Sequence, residues 1–119
     1  MAKRILIVDD EPDLLKVVAV RLQKSGYEVM TAVDGQEALD LLQKDVPDLI
    51  FLDLRLPRIS GYDVCMHIKS DERLKAIPVI LFTASTERIA EKAKEAGADG
   101  YLIKPFASED LINIVEKYT

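Results

Sequence analysis

A chain of 119 residues and 13.3 kDa with 49% hydrophobic side chains suits one domain with a real core, residues 1–119. Its 21 acids against 16 bases give a net charge of −5 and a pI near 4.9, which argues against direct binding of nucleic acid or anionic lipid. One cysteine, Cys65, rules out an internal disulfide, no apolar stretch reaches bilayer length and Ile5–Val8 is too short for a signal-peptide core, so the chain reads as cytoplasmic and reduced.

Ile5-Leu6-Ile7-Val8 is an apolar, β-branched run that predicts a strand buried on both faces, and it ends in Asp9-Asp10-Glu11. Pro12 suits a first helical turn, and Leu14, Leu15, Val18 and Leu22 continue at helical spacing, predicting a helix over 12–25 that stops at Ser25-Gly26. Residues 27–32 predict a more polar strand at a sheet edge. Asp34 caps a second helix with Ala38, Leu39, Leu41 and Leu42 on its apolar face, and Pro47 closes it. Leu49-Ile50-Phe51-Leu52 is the second two-sided run and delivers Asp53 to its carboxyl end.

After a loop carrying Pro57 and Gly61, a third helix presents Tyr62, Val64, Cys65 and Ile68 on one face, and residues 71–78 return the chain to the sheet. Val79-Ile80-Leu81-Phe82-Thr83 is the third two-sided strand, followed by Ala84-Ser85-Thr86. A fourth helix over 87–96 keeps Ile89, Ala90, Ala93 and Ala96 inward and ends at Gly97. The last strand, 100–103, delivers Lys104-Pro105-Phe106, and Ser108 caps a final helix carrying Leu111, Ile112 and Val115.

Strand and helix alternate every 20 to 25 residues or so, the pattern of an α/β protein with helices on both faces of a doubly wound parallel sheet. A polar second strand suits an edge and apolar first and third strands suit the centre, which favours the flavodoxin-like order 2-1-3-4-5. In such a sheet all carboxyl ends share one edge, so Asp9, Asp10, Asp53, Thr83 and Lys104 converge from distant positions. Clustered carboxylates raise one another's pKa unless a cation separates them, and hard oxygen ligands with room for water and phosphate suit Mg²⁺. A carboxylate nucleophile, a divalent ion, a lysine and a hydroxyl are the parts needed to move a phosphoryl group onto Asp53.

With these residues placed, the chain strongly resembles the receiver domain of two-component response regulators, in particular the single-domain members. The resemblance runs from Lys3 to about Lys117 and rests on Asp9-Asp10, the Asp53 strand, Thr83-Ala84 and Lys104-Pro105. It implies that Asp53 accepts phosphate from a histidine kinase or phosphotransfer protein with Mg²⁺. Asp10 would bind the ion directly, Asp9 through water or as support, and Arg55 through its backbone carbonyl. Thr83 and Lys104 would hold the phosphoryl oxygens, and Tyr101 falls at the family's switch aromatic. Lys104-Pro105 becomes a candidate cis peptide, and Arg55 and Ser85 occupy positions that tune phosphoryl lifetime.

The implied signalling surface is the fourth helix, fifth strand and fifth helix, used toward a protein partner by a monomer or an activation-dependent dimer. The chain is then no metabolic enzyme; it catalyses its own phosphotransfer and dephosphorylation, either stand-alone or as an excised piece of a longer regulator. Cys65 reads as a buried thiol, His67 as a surface residue, and residues 87–95 as a solvated face. A haloacid-dehalogenase-type phosphohydrolase would need an Asp where Arg55 stands and a cap domain. A flavin binder would need a first loop of Ser, Thr and Gly rather than Asp9-Asp10-Glu11. An inactive receiver-like interaction module would lack one key residue, and none is missing.

Overall fold

The computed structural model describes residues 2–84 and 87–119. Among them strands and helices alternate as β1 (Arg4–Val8), α1 (Pro12–Lys24), β2 (Glu28–Ala32), α2 (Gly35–Lys44), β3 (Leu49–Asp53), α3 (Gly61–Ser70), β4 (Val79–Thr83), α4 (Ile89–Ala96), β5 (Gly100–Ile103) and α5 (Ser108–Tyr118). The strands form one parallel sheet in the order β2-β1-β3-β4-β5. The three strands read from their continuous apolar runs are the inner ones, and every residue of β3 and β4 is buried.

Alternation along those strands divides the core in two. Leu6, Val8, Ile50, Leu52, Val79 and Leu81 pack with residues of α2, α3 and α4. Ile5, Ile7, Phe51, Ile80 and Phe82 pack with Leu15, Val18 and Leu22 of α1 and Leu111 and Val115 of α5. Phe82 stacks on Phe51 and on Phe106, both at centroid separations of 5.0 Å, so the segment after β5 is anchored to the central strands. Aromatic pairs of this kind add about 0.5–1.5 kcal/mol each beyond burial.

Asp34 caps α2 as read, its side chain accepting the Glu37 N–H at 2.8 Å, and Gly26 takes the left-handed backbone expected after α1 (φ 95°). Cys65 is buried and His67 exposed, also as read. Three local expectations need correction, and one stretch holds more than its sequence shows. Ser108 is the first residue of α5, and the capping position belongs to Ala107, whose N–H is donated to the Asp110 carboxylate at 3.3 Å. The acid at the third helical position thus satisfies the cap residue's own N–H, while no side chain at the cap position accepts from the first turn. Helix α4 begins at Ile89 rather than 87, because Arg88 takes a left-handed conformation (φ 53°) and its guanidinium folds back onto Glu91. Ala90 is exposed, since the shortened α4 turns only Ile89, Ala93 and Ala96 inward. Leu74 and Ile77, within the stretch read as a plain return to the sheet, are core residues.

Gly61 fixes how β3 leaves the sheet. Its N–H is donated to the Leu54 carbonyl at 2.9 Å, and a Cβ at this position would lie 1.9 Å from the Asp53 carbonyl oxygen. No L side chain fits without moving the end of β3. Gly61→Ala is expected to lower unfolding free energy by about 3 kcal/mol, read as a lower urea midpoint at unchanged slope. A midpoint equal to wild type would show that the loop relaxes freely.

Candidate functional site

The carboxyl edge of the sheet is built by three strand ends and one backbone link. Asp9 directly follows β1, with its N–H held by the Ala32 carbonyl at 3.1 Å, and its side chain is fully buried. Asp53 is the last residue of β3, paired in register with Phe82, and is 7% exposed. Thr83 ends β4 and is also buried; its carbonyl accepts the Lys104 N–H at 2.7 Å, which brings the lysine back over the edge just past β5.

Every oxygen of the two buried carboxylates has a donor. Asp9 Oδ1 accepts the Glu11 N–H at 2.9 Å, and Asp53 Oδ1 accepts the Arg55 N–H at 3.1 Å. The remaining oxygens converge on one ammonium: Lys104 Nζ donates to Asp9 Oδ2 at 2.6 Å and to Asp53 Oδ2 at 3.3 Å. Asp10 is exposed beside them, and one oxygen each from Asp9, Asp10 and Asp53 fall within 4.8 Å of one another. These residues open onto a cleft of about 420 Å³ lined by Asp10, Glu11, Asp53, Arg55, Thr83 and Lys104.

Burial raises the Asp53 pKa above its ordinary value of 3.8; the Arg55 N–H and the Lys104 charge oppose that rise, and the neighbouring Asp9 adds to it. Burial acts on Lys104 in the opposite sense, favouring loss of its proton, but its contacts with Asp9 and Asp53 outweigh this and raise its pKa. The lysine therefore keeps its charge, while burial disfavours ionisation of Asp53. The arrangement offers clustered hard oxygen donors for a divalent cation and, next to them, a fixed ammonium for an oxyanion.

All five residues expected to converge do so: Asp9, Asp10, Asp53, Thr83 and Lys104. Arg55 stands on the cleft wall. Tyr101 lies apart, on the face of β5 opposite the buried Leu102, and is 40% exposed. The Lys104-Pro105 peptide is cis. Ser85 lies outside the described residues. Two features escaped the sequence reading. Phe106 was read only as part of the edge segment, and its stack on Phe82 depends on a loop path that periodicity does not encode. Glu11, read only as one more acid after β1, has Oε1 3.6 Å from Lys104 Nζ; the acidic triplet at a strand exit was the signal for it.

The model of the response regulator receiver domain family matches residues 5–116. Over 111 residues the chain is 43% identical to the DNA-binding dual master transcriptional regulator RpaA of Synechocystis sp., covering 92% of this chain and 46% of that protein. The chain spans less than half the length of the curated relatives it matches. Among solved structures, the chemotaxis response regulator CheY4 of Vibrio cholerae superposes with a TM-score of 0.94 at 32% identity, covering all of both chains. The receiver domain of sensor histidine kinase PA1611 from Pseudomonas aeruginosa, with a magnesium ion coordinated in its active-site cleft, superposes at 0.91 with 31% identity, covering 99% of this chain and 98% of that one. Because the family match takes in every strand and helix that shapes the acidic edge, the chain belongs to the family of response regulator receiver domains.

Proposed function

We propose that this receiver is a phosphorylation-controlled switch in which Asp53 accepts a phosphoryl group from a histidine kinase or phosphotransfer protein. The observation that carries the reading is the sharing of Lys104 by Asp9 and Asp53 beside Asp10, at the mouth of a cleft. Among the described carboxylates, only Asp53 combines a place at the end of a central strand with a nearly closed environment and an open side toward that cleft. One Asp53 oxygen forms a new P–O bond as the donor's P–N bond breaks, and the donor imidazole leaves with the electron pair. Water later attacks the acyl phosphate, releasing inorganic phosphate and restoring the carboxylate. No metabolite is turned over.

The donor set fits Mg²⁺: three carboxylates supply hard oxygens on one side, and the cleft leaves space for water and phosphate oxygens. Asp10 and Asp53 would hold the ion directly, Asp9 through water or as support, and Arg55 through its backbone carbonyl. When bound, it would offset the negative charge of the phosphoryl oxygens during transfer. Lys104 orients those oxygens from the other side. It keeps its short contact to Asp9 and exchanges the longer one, to Asp53, for the phosphoryl group.

Phosphorylation adds roughly 1.5 to 2 negative charges and strong acceptor oxygens, so Lys104 and the Thr83 hydroxyl gain a partner found only in the modified state. If two loop arrangements differ by a few kcal/mol, that difference in contact shifts the population. Tyr101 sits two residues before the β5 residue paired with Thr83, with its ring partly exposed, and is the side chain expected to follow. Exposed Tyr101 and Ile103 on β5, with α4 and α5, would carry the signal to a partner protein. The transcriptional roles named for the relatives belong to proteins more than twice as long.

Incubation with acetyl phosphate and Mg²⁺ is expected to give a single phosphoryl adduct in intact mass spectra, labile to hydroxylamine, and absent without Mg²⁺ or in Asp53→Asn. An adduct that survives Asp53→Asn would place the chemistry elsewhere. In Thr83→Ala the adduct should still form, while the change in Tyr101 ring resonances seen on phosphorylating the wild type is lost. Retention of that change would remove Thr83 from the switch.

A further inference from the structure

Glu11 is the acid at the cleft that the phosphotransfer scheme leaves without a role. It occupies the N-cap position of α1 but its side chain caps nothing there. Its backbone is pinned by the N–H donated to Asp9 at 2.9 Å, while the carboxylate, 64% exposed, reaches to 3.6 Å from Lys104 Nζ. It borders two hollows at once: the acidic cleft, and a neighbouring groove of about 440 Å³ walled by Leu14, Val18, Phe106 and Leu111. A negative charge is therefore fixed on the lip that separates the phosphoacceptor cleft from an apolar surface. Glu11 also shares the ammonium that is to meet the phosphoryl oxygens. For a site whose incoming reactant is an anion, that placement opposes entry.

We propose that Glu11 is an electrostatic filter which slows phosphorylation of Asp53 by free anionic donors and discriminates among them by charge. The inference rests on Asp53 being the phosphoacceptor. With an acyl phosphate, an Asp53 oxygen bonds to phosphorus as the P–O bond to the acyl group breaks, and the leaving carboxylate takes the electron pair. With phosphoramidate the P–N bond breaks and ammonia leaves. Neither reaction needs an oxidant or reductant. At neutral pH the acyl phosphate is a dianion and phosphoramidate a monoanion, so the filter acts more strongly on the former. Because Glu11 is largely solvated, its effect is modest and screened by salt.

The test is the second-order rate constant for adduct formation at saturating Mg²⁺, with acetyl phosphate and with phosphoramidate, for wild type, Glu11→Gln, Glu11→Lys and Glu11→Asp. At low ionic strength Glu11→Gln should react with acetyl phosphate about threefold faster and Glu11→Lys about tenfold faster. Gains should be smaller with phosphoramidate, and Glu11→Asp should stay near wild type. All differences should close near 1 M salt, where the screening length is about 3 Å. Equal rates for wild type and Glu11→Gln at low salt would overturn the filter. So would a gain that persists at high salt, which would assign the effect to the Lys104 contact itself. No adduct in the wild type with either donor would instead defeat the phosphoacceptor reading and this inference with it.

Discussion

Two carboxylates that meet at the buried edge of one sheet cannot both stay ionised without a cation between them, and in this protein that cation is Lys104. Much of the local structure can be understood as holding its ammonium in place. The Lys104 N–H is tied to the carbonyl of Thr83, and Phe106 locks the segment onto Phe82 and through it onto Phe51. A lysine at the end of an edge strand would ordinarily be solvated. Here its side chain is 14% exposed and shared among Asp9, Asp53 and Glu11.

The same constraint bears on the proposed switch. Asp9 is fixed by backbone hydrogen bonds on both sides of the turn into α1, so its contact with Lys104 is the rigid one, at 2.6 Å. Asp53 holds the lysine more loosely, at 3.3 Å, and is the carboxylate open to the cleft. A group added to Asp53 can therefore draw on the lysine without breaking the contact that anchors it. Thr83 belongs to the strand paired with β5, so displacement at the edge has a short path to Tyr101.

The parts of this architecture that depend on regular periodicity were legible in the sequence. Continuous apolar runs point to the central strands and the more polar residues 27–32 to an edge; together they favour the observed order, although periodicity alone does not dictate it. From parallel order alone the acids, the threonine and the lysine had to meet. What the sequence hid was chemistry decided by loop paths. Ala107 offers no capping side chain, so the sequence favours Ser108 as the cap of α5, and only the path of the turn lets Asp110 reach back to Ala107. Arg88 gives no compositional sign of a left-handed backbone, so nothing in the sequence moves the start of α4 from 87 to Ile89. Leu74 and Ile77 lie in a stretch too short for any period to reveal its buried side. Glu11 could be counted as an acid, but its reach to Lys104 required the turn after β1 to be known.

With one ammonium against the carboxylates of Asp9, Asp10 and Asp53, the acidic edge is short of positive charge unless a divalent ion binds there. Asp53 has its pKa raised in the folded protein, so it binds a proton more tightly there than when unfolded. Its contribution to stability is present below the unfolded-state pKa and is lost as pH rises through the folded-state pKa, leaving a cost at neutral pH. The direct test is denaturant unfolding at neutral pH of wild type and Asp53→Asn, each with and without Mg²⁺. Metal-free Asp53→Asn is expected to be the more stable of the two. Mg²⁺ is expected to stabilise wild type by about 2.7 kcal/mol at a hundred times its Kd, with little or no gain for the variant. Equal stabilisation of both proteins by Mg²⁺, or none of either, would show that the edge is not short of positive charge.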